Sequence, residues 1–144
     1  MQNKLKYQVL ELFPTPVYTT GMPPELANVI PFLDAQAPNS GSDEANYGER
    51  SDNSYILNEP ECVEVKKFVL QHVKEFAENT LLYDYNTWEI SQSWVSRKQP
   101  GQHHMMHTHP NSLISGVFYY GEPQKETPAC QAMYLSGTRL IMRP

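Results

Sequence analysis

Cysteine is scarce in this chain. Cys62 and Cys130 stand alone, far apart and without the spacing of a metal site, which argues for two free thiols buried in a reducing cytosol over a disulfide. Basic clusters are missing too. The formal charge is −5 at pH 7 and acids and bases are interspersed, so there is no stripe to neutralise phosphates and nucleic acid is not an expected partner. The opening stretch MQNKLKYQVLELFPTP lacks the apolar core and small-residue cleavage site of a signal peptide. Nowhere does an apolar run approach the ~20 residues of a membrane span. The expected location is the cytoplasm. Internal repeats and low-complexity tracts are absent as well.

What remains is the composition of a folded protein. With 144 residues, 40% of them hydrophobic, the chain suits one domain (1–144) around one core. Its 12 prolines favour turns over long helices. Tyr7–Phe13 and Val17–Thr20 flank Pro14-Thr15-Pro16 and read as extended pieces at a sheet edge. Pro23-Pro24 opens a short helix over Glu25–Ile30, which Pro31 is expected to stop. From Ala35 to Asp52 the residues are those of a long polar loop. Asn58-Glu59-Pro60-Glu61 then starts a helix whose apolar positions Val65, Phe68, Val69, Val73, Phe76 and Ala77 recur at helical spacing and which Asn79-Thr80 ends. His72 belongs to it as a packed or half-exposed helical histidine.

Beyond Tyr83 the periodicity becomes that of strands. Thr87–Arg97 alternates, Lys98-Gln99-Pro100-Gly101 makes a turn, and Leu113–Tyr120 is strongly strand-like until Gly121-Glu122-Pro123. Ala132–Leu135 and Thr138–Met142 suggest a hairpin around Ser136-Gly137. The expected fold class is therefore mainly β with flanking helices (α+β), residues 1–83 forming the helical and extended part and 84–144 the β core. Trp88–Arg97, Leu113–Tyr120 and the Ala132–Met142 hairpin should be antiparallel strands of one barrel-like sheet, with helix Pro60–Asn79 outside it.

Four of the five histidines fall between positions 103 and 109. His107 and His109 are two apart, and on an extended strand both imidazoles share a face. Such a pair can give two ligands to one metal ion. His103 and His104 sit in the connection after the turn, where solvated loop histidines are the ordinary outcome. Met105 and Met106 read as core-filling or wall residues, with no thioether ligand set to support copper.

Two families with a His-X-His pair fail on what is missing. The cupin pattern is met at Pro100-Gly101, His107, His109 and Gly121, but its glutamate position holds Ile114. JAMM metallopeptidases share His107-Thr108-His109-Pro110, yet their Ser and Asp positions hold Val117 and Tyr120. An amidohydrolase is excluded by length, since its barrel needs ~250 residues.

A third match is broader. Leu12-Phe13-Pro14-Thr15-Pro16-Val17-Tyr18, Asn46-Tyr47-Gly48 with Ser51-Asp52, Trp94 and Gly101, His107 to Ser112, and Leu113 to Tyr120 occur in one order. In that order they resemble a family of 2-oxoglutarate/iron(II)-dependent oxygenases from bacteria and phages of marine cyanobacteria. The resemblance implies a double-stranded β-helix, or jelly roll, with Fe(II) as cofactor and 2-oxoglutarate as small-molecule cosubstrate. It implies hydroxylation, or an oxidation that begins as one. Carried onto this chain it makes His107 and His109 metal ligands, His109 standing where Asp or Glu is commoner. Tyr119, on the same strand parity, and Asn111 and Arg97 are the candidate cosubstrate-binding residues, against the plainer readings of a core tyrosine, a turn residue and a solvated strand-edge arginine. The competing class is a cupin-like metal-binding or structural jelly roll without catalysis. Substrate identity is not legible, and a homo-oligomer is left open.

In the resembled family another histidine and a cosubstrate-binding arginine come from strands near the C-terminus. No histidine follows His109 here, and Arg139 and Arg143 are the only later arginines. A jelly roll needs about eight strands, more than this sequence supplies. The expectation is a reading frame that continues past Pro144, or a truncated form that binds iron weakly and does not turn over.

Overall fold

The computed structural model describes residues 15–37, 49–97, 107–120 and 132–137. Three strands form one antiparallel sheet: β1 (Val17–Gly21), β4 (Ile114–Phe118) and β5 (Ala132–Gly137), in the order β1-β5-β4. Ser136 lies opposite Val17 on one side and Ser115 on the other. A second sheet is a short pair, β2 (Glu49–Arg50) with β3 (Ser96–Arg97). Two α-helices are described, α1 (Ile30–Gln36) and α2 (Val63–Asn79).

Helix α2 forms where the helical spacing predicts it. A 3₁₀ turn, Pro60–Cys62, leads in, and Val65, Phe76 and Ala77 are its fully buried side chains. Its end widens into a left-handed cap: Thr80 and Leu81 both donate their N–H to the Phe76 carbonyl, and Tyr83 donates to Ala77. Leu82 adopts φ 58° to allow this, a left-handed conformation that costs a non-glycine residue about 1 kcal/mol.

Two apolar clusters meet along α2. Val29, Leu33, Ala37, Ile56, Cys62, Val65 and Val95 make one. In the other, Phe76 is ringed by Tyr18 of β1, Ile114 and Phe118 of β4, and Phe68, Val73 and Leu81. The helix therefore lies outside the three-stranded sheet, as expected. His72 is a packed helical histidine: its Nδ1 is 2.7 Å from the Tyr18 hydroxyl and its ring stands edge-on to Phe68. Burial first, then the Glu75 carboxylate, hold the Tyr18 phenol above its usual range.

Several expectations are corrected. The strands do not form one sheet. Only Ser96–Arg97 of the alternating segment Trp88–Arg97 pairs as a strand, because Ser93 is already engaged with residues 54–57: it donates to Ser54 and accepts from Ile56 and, through Oγ, from Leu57. Ser136-Gly137 is not a hairpin turn but the end of β5, where two neighbours hold the chain extended. Thr138–Met142 and Tyr7–Phe13 lie outside the described residues. Pro31 does not stop a helix: a 3₁₀ turn over Pro24–Val29 hands on to α1, and Pro31 sits in its first turn, where no N–H is required. Ala35 and Gln36 of the expected polar loop complete α1, and Glu49-Arg50 make β2. Among the described residues neither sheet closes into a barrel. No helix there is long and apolar enough to cross a membrane.

Candidate functional site

The chain enters β4 through a tight turn. Pro110 holds the second turn position, Asn111 the third with φ 68°, and Ser112 donates its N–H to the His109 carbonyl at 3.2 Å. Proline followed by a residue at positive φ is the pattern of a type II turn, and Asn is among the few residues that accept it. Asn111 thus serves the backbone here, as the plainer reading held. Ser112 Oγ adds a bond to the Ile114 carbonyl at 2.8 Å, which fixes the turn to the strand.

Immediately before the turn the imidazoles of His107 and His109 converge. Their Nε2 atoms are 3.2 Å apart and the rings meet edge to face at 4.8 Å. Without a metal, a neutral ring can donate its N–H to the lone pair of the other. With one, both lone pairs can turn onto the ion. Two nitrogens each about 2.1 Å from one ion stand roughly 3.0 Å apart at a right angle and roughly 3.4 Å apart at the tetrahedral angle. The observed separation falls between these values. Both rings are exposed.

Beside the pair stands Trp94, whose ring is 6.0 Å from that of His109. Over Trp94 in turn lies the guanidinium of Arg50, 4.3 Å from the ring centroid. The β2–β3 pairing explains this contact. Arg50 is registered with Ser96, so Trp94, two residues away, shares its face as the diagonal neighbour. Arg50 also donates to Ser54 Oγ. On the opposite face a polar clamp sets the register. Ser51, buried at 5% exposure, donates its N–H to the Val95 carbonyl at 2.8 Å and accepts the Val95 N–H on Oγ at 3.1 Å. Asn53 extends the clamp, receiving the Tyr55 N–H on Oδ1 and donating to Glu59.

The other expected site residues lie differently. The turn at Pro110-Asn111 interrupts the extended run, so the strand parity that joined Tyr119 to the histidines does not carry through. Tyr119 follows β4 and is half exposed. Arg97 is bound to Asp34, at 3.3 Å from its carbonyl and 3.5 Å from its carboxylate. Tyr120 belongs to that group, its phenol held above the usual range by burial and then by Asp34, against a smaller opposite pull from Arg97. His103, His104, Met105 and Met106 lie outside the described residues. Sequence reasoning missed Arg50. The signal was its place next to Ser51-Asp52, one of the stretches that carried the resemblance.

Residues 92–141 match the model of a family described as "Putative 2OG-Fe(II) oxygenase". This stretch takes in Trp94, both histidines, the turn, β4 and β5, and over it the chain is similar to that family. No curated protein and no solved structure gives a match. The family's description implies iron(II) with 2-oxoglutarate. The imidazole pair has the spacing of two ligands to such an ion, while no group of three or more His, Cys, Asp or Glu side chains suited to a metal occurs among the described residues. The fit is that of a two-histidine portion of a metal centre.

Proposed function

We propose that this chain carries the centre of a 2-oxoglutarate- and iron(II)-dependent oxygenase, with His107 and His109 as the metal ligands. The observation that carries the reading is the 3.2 Å separation of the two Nε2 atoms, within the stretch similar to the oxygenase family. When bound, iron(II) with 2-oxoglutarate supplies O₂ activation, coupling cosubstrate breakdown to succinate and CO₂ with hydroxylation of a substrate C–H bond. The chain's part is to hold and orient. The type II turn ties the segment that carries the two imidazoles to β4. Trp94 walls one side of them, and the Ser51–Val95 clamp keeps that wall in register. Tyr119, just past the end of β4, is a candidate hydrogen-bond donor to a cosubstrate carboxylate. The setting is the cytoplasm, where a buried thiol such as Cys62 stays reduced.

A second reading, metal binding without turnover, draws support from the two-histidine set among the described residues. One experiment separates the readings. Anaerobic iron(II) titration with and without 2-oxoglutarate, followed by ultraviolet-visible spectra, should show a metal complex whose spectrum changes with the cosubstrate. Succinate release then distinguishes turnover from binding. Unchanged iron affinity in a His107→Ala/His109→Ala double variant rejects the assignment.

A further inference from the structure

The seam between β1 and α2 brings three polar side chains to one point. Tyr18 of β1 places its hydroxyl 2.7 Å from His72 Nδ1 on the helix. Glu75 follows one turn later on the same face of α2, and its Oε2 is 4.0 Å from that same nitrogen. It also stands close enough to Tyr18 to hold the phenol above its usual range, second only to burial. The seam fixes two of the three groups. Pairing with Leu135 sets the Tyr18 backbone, the Tyr18 ring lies 5.6 Å from Phe76, and Phe68 holds the His72 imidazole edge-on at 4.4 Å. The Glu75 side chain is 54% exposed against 16% for His72, so the cluster opens to water on the Glu75 side.

We propose that Tyr18, His72 and Glu75 bind a ferric ion, at a site built from other residues than the imidazole pair and independent of the oxygenase reading. Donors about 2.1 Å from one ion stand roughly 3.0 Å apart when adjacent and roughly 4.2 Å apart when opposite. The observed 2.7 and 4.0 Å need to grow by only about 0.2–0.3 Å to meet those spacings. With its proton on Nε2, His72 offers the Nδ1 lone pair to the Tyr18 O–H, and an ion takes over that lone pair by replacing the hydroxyl proton. Chemistry selects the ion. Phenolate and carboxylate are hard anionic oxygens, and the imidazole nitrogen suits first-row transition metals over calcium or magnesium. The phenol holds its proton tightly, so the ion must displace it, and attraction for an anionic oxygen grows with charge. A trivalent ion meets that demand better than a divalent one. On binding, the Tyr18 O–H bond breaks, the oxygen bonds to iron, and the proton leaves to water. No electron is transferred. Because the three donors come from β1 and α2, the ion ties the helix to the strand.

Ferric phenolates are coloured, which gives a direct readout. Iron(III) added to the full chain as its nitrilotriacetate complex should develop a visible phenolate-to-iron charge-transfer band. Tyr18→Phe, which keeps the ring beside Phe76, should abolish the band, whereas Tyr85→Phe, at a half-exposed ring, should leave it. His72→Gln and Glu75→Gln should each weaken iron(III) binding about tenfold or more, since even groups that only support a metal ligand are worth that much. Far-ultraviolet dichroism checks that α2 survives in each variant, and Glu75→Gln, at an exposed position, carries the experiment if Tyr18→Phe does not fold. His107→Ala/His109→Ala should keep the band. No band, a band that persists in folded Tyr18→Phe, or affinities within about twofold of the parent in both His72→Gln and Glu75→Gln overturn the proposal. A band lost with the imidazole pair overturns it too, because the iron then sits there. The oxygenase reading is judged separately, by iron(II) binding and succinate release.

Discussion

Where α2 meets the three-stranded sheet, Phe76 is 1% exposed and is surrounded by Tyr18, Phe68, Val73, Ile114 and Phe118. Where residues 51–57 meet residues 93–95, directed bonds through Ser51, Ser54 and Ser93 are added to the burial of Ile56 and Val95. The first region is non-directional and gains its strength from area removed from water. The second also fixes register, because each bond has one geometry. The difference teaches where precision is kept in this molecule. Apolar packing stabilises the fold, and the serine clamp orients Trp94 and Arg50 beside the histidines.

Mutations can break this contrast. Phe76→Ala should have the largest effect, about 3–5 kcal/mol lost from unfolding stability measured by denaturant titration. A loss under about 1 kcal/mol would mean that the seam is not the stabilising region. Ser51→Ala should cost less, about 1–3 kcal/mol, since it leaves the Val95 N–H without its acceptor. Its distinctive result should be a changed near-ultraviolet dichroism from Trp94, which Phe68→Leu should not reproduce.

Cys62 sharpens the seam further. Burial first, then Glu61 and Glu59, push its thiol from 9.0 up to about 11. A raised acid favours its neutral form in the fold, so this contribution to stability is fully present below pH 9 and declines as pH rises toward 11. Alkylation followed by peptide mapping should find Cys62 of the native protein about 100-fold or more slower to react at pH 8 than in denaturant. Equal rates would show the first cluster open to solvent. The smallest effect belongs to the exposed site. His107→Ala/His109→Ala should leave stability within about 0.5 kcal/mol while abolishing metal binding, and a larger loss would make the pair structural.

The fold was legible where one periodicity dominated. Val65 through Ala77 could only be an amphipathic helix, and Leu113–Tyr120 could only be extended. The turn at Pro110-Asn111 was readable from its residue types, although the parity argument for Tyr119 overlooked that a residue at positive φ restarts the alternation. What escaped were contacts between distant segments. Nothing local in Ser93 announces that residues 54–57 will claim it, and nothing in Arg50 announces Trp94. A proline at position 31 reads as a stop or as a start, depending on whether the preceding 3₁₀ turn continues. The site itself divides in the same way. The pair His107 and His109 was visible because its two members are neighbours in the chain, and Arg50 was not because it is far from them.

The strand order has a consequence for how the molecule is made. Among the described strands β5, the central one, comes last along the chain, and the described partner of β1 at residues 17–21 is residues 132–137. Helix α2 needs only its own neighbours and can form early. During synthesis, then, β1 and β4 emerge as two edges with nothing between them, and the sheet closes in a late, long-range step. Nascent chains arrested before residue 132 should carry helical signal while β1 and β4 stay unprotected, and they should be the species most in need of a chaperone.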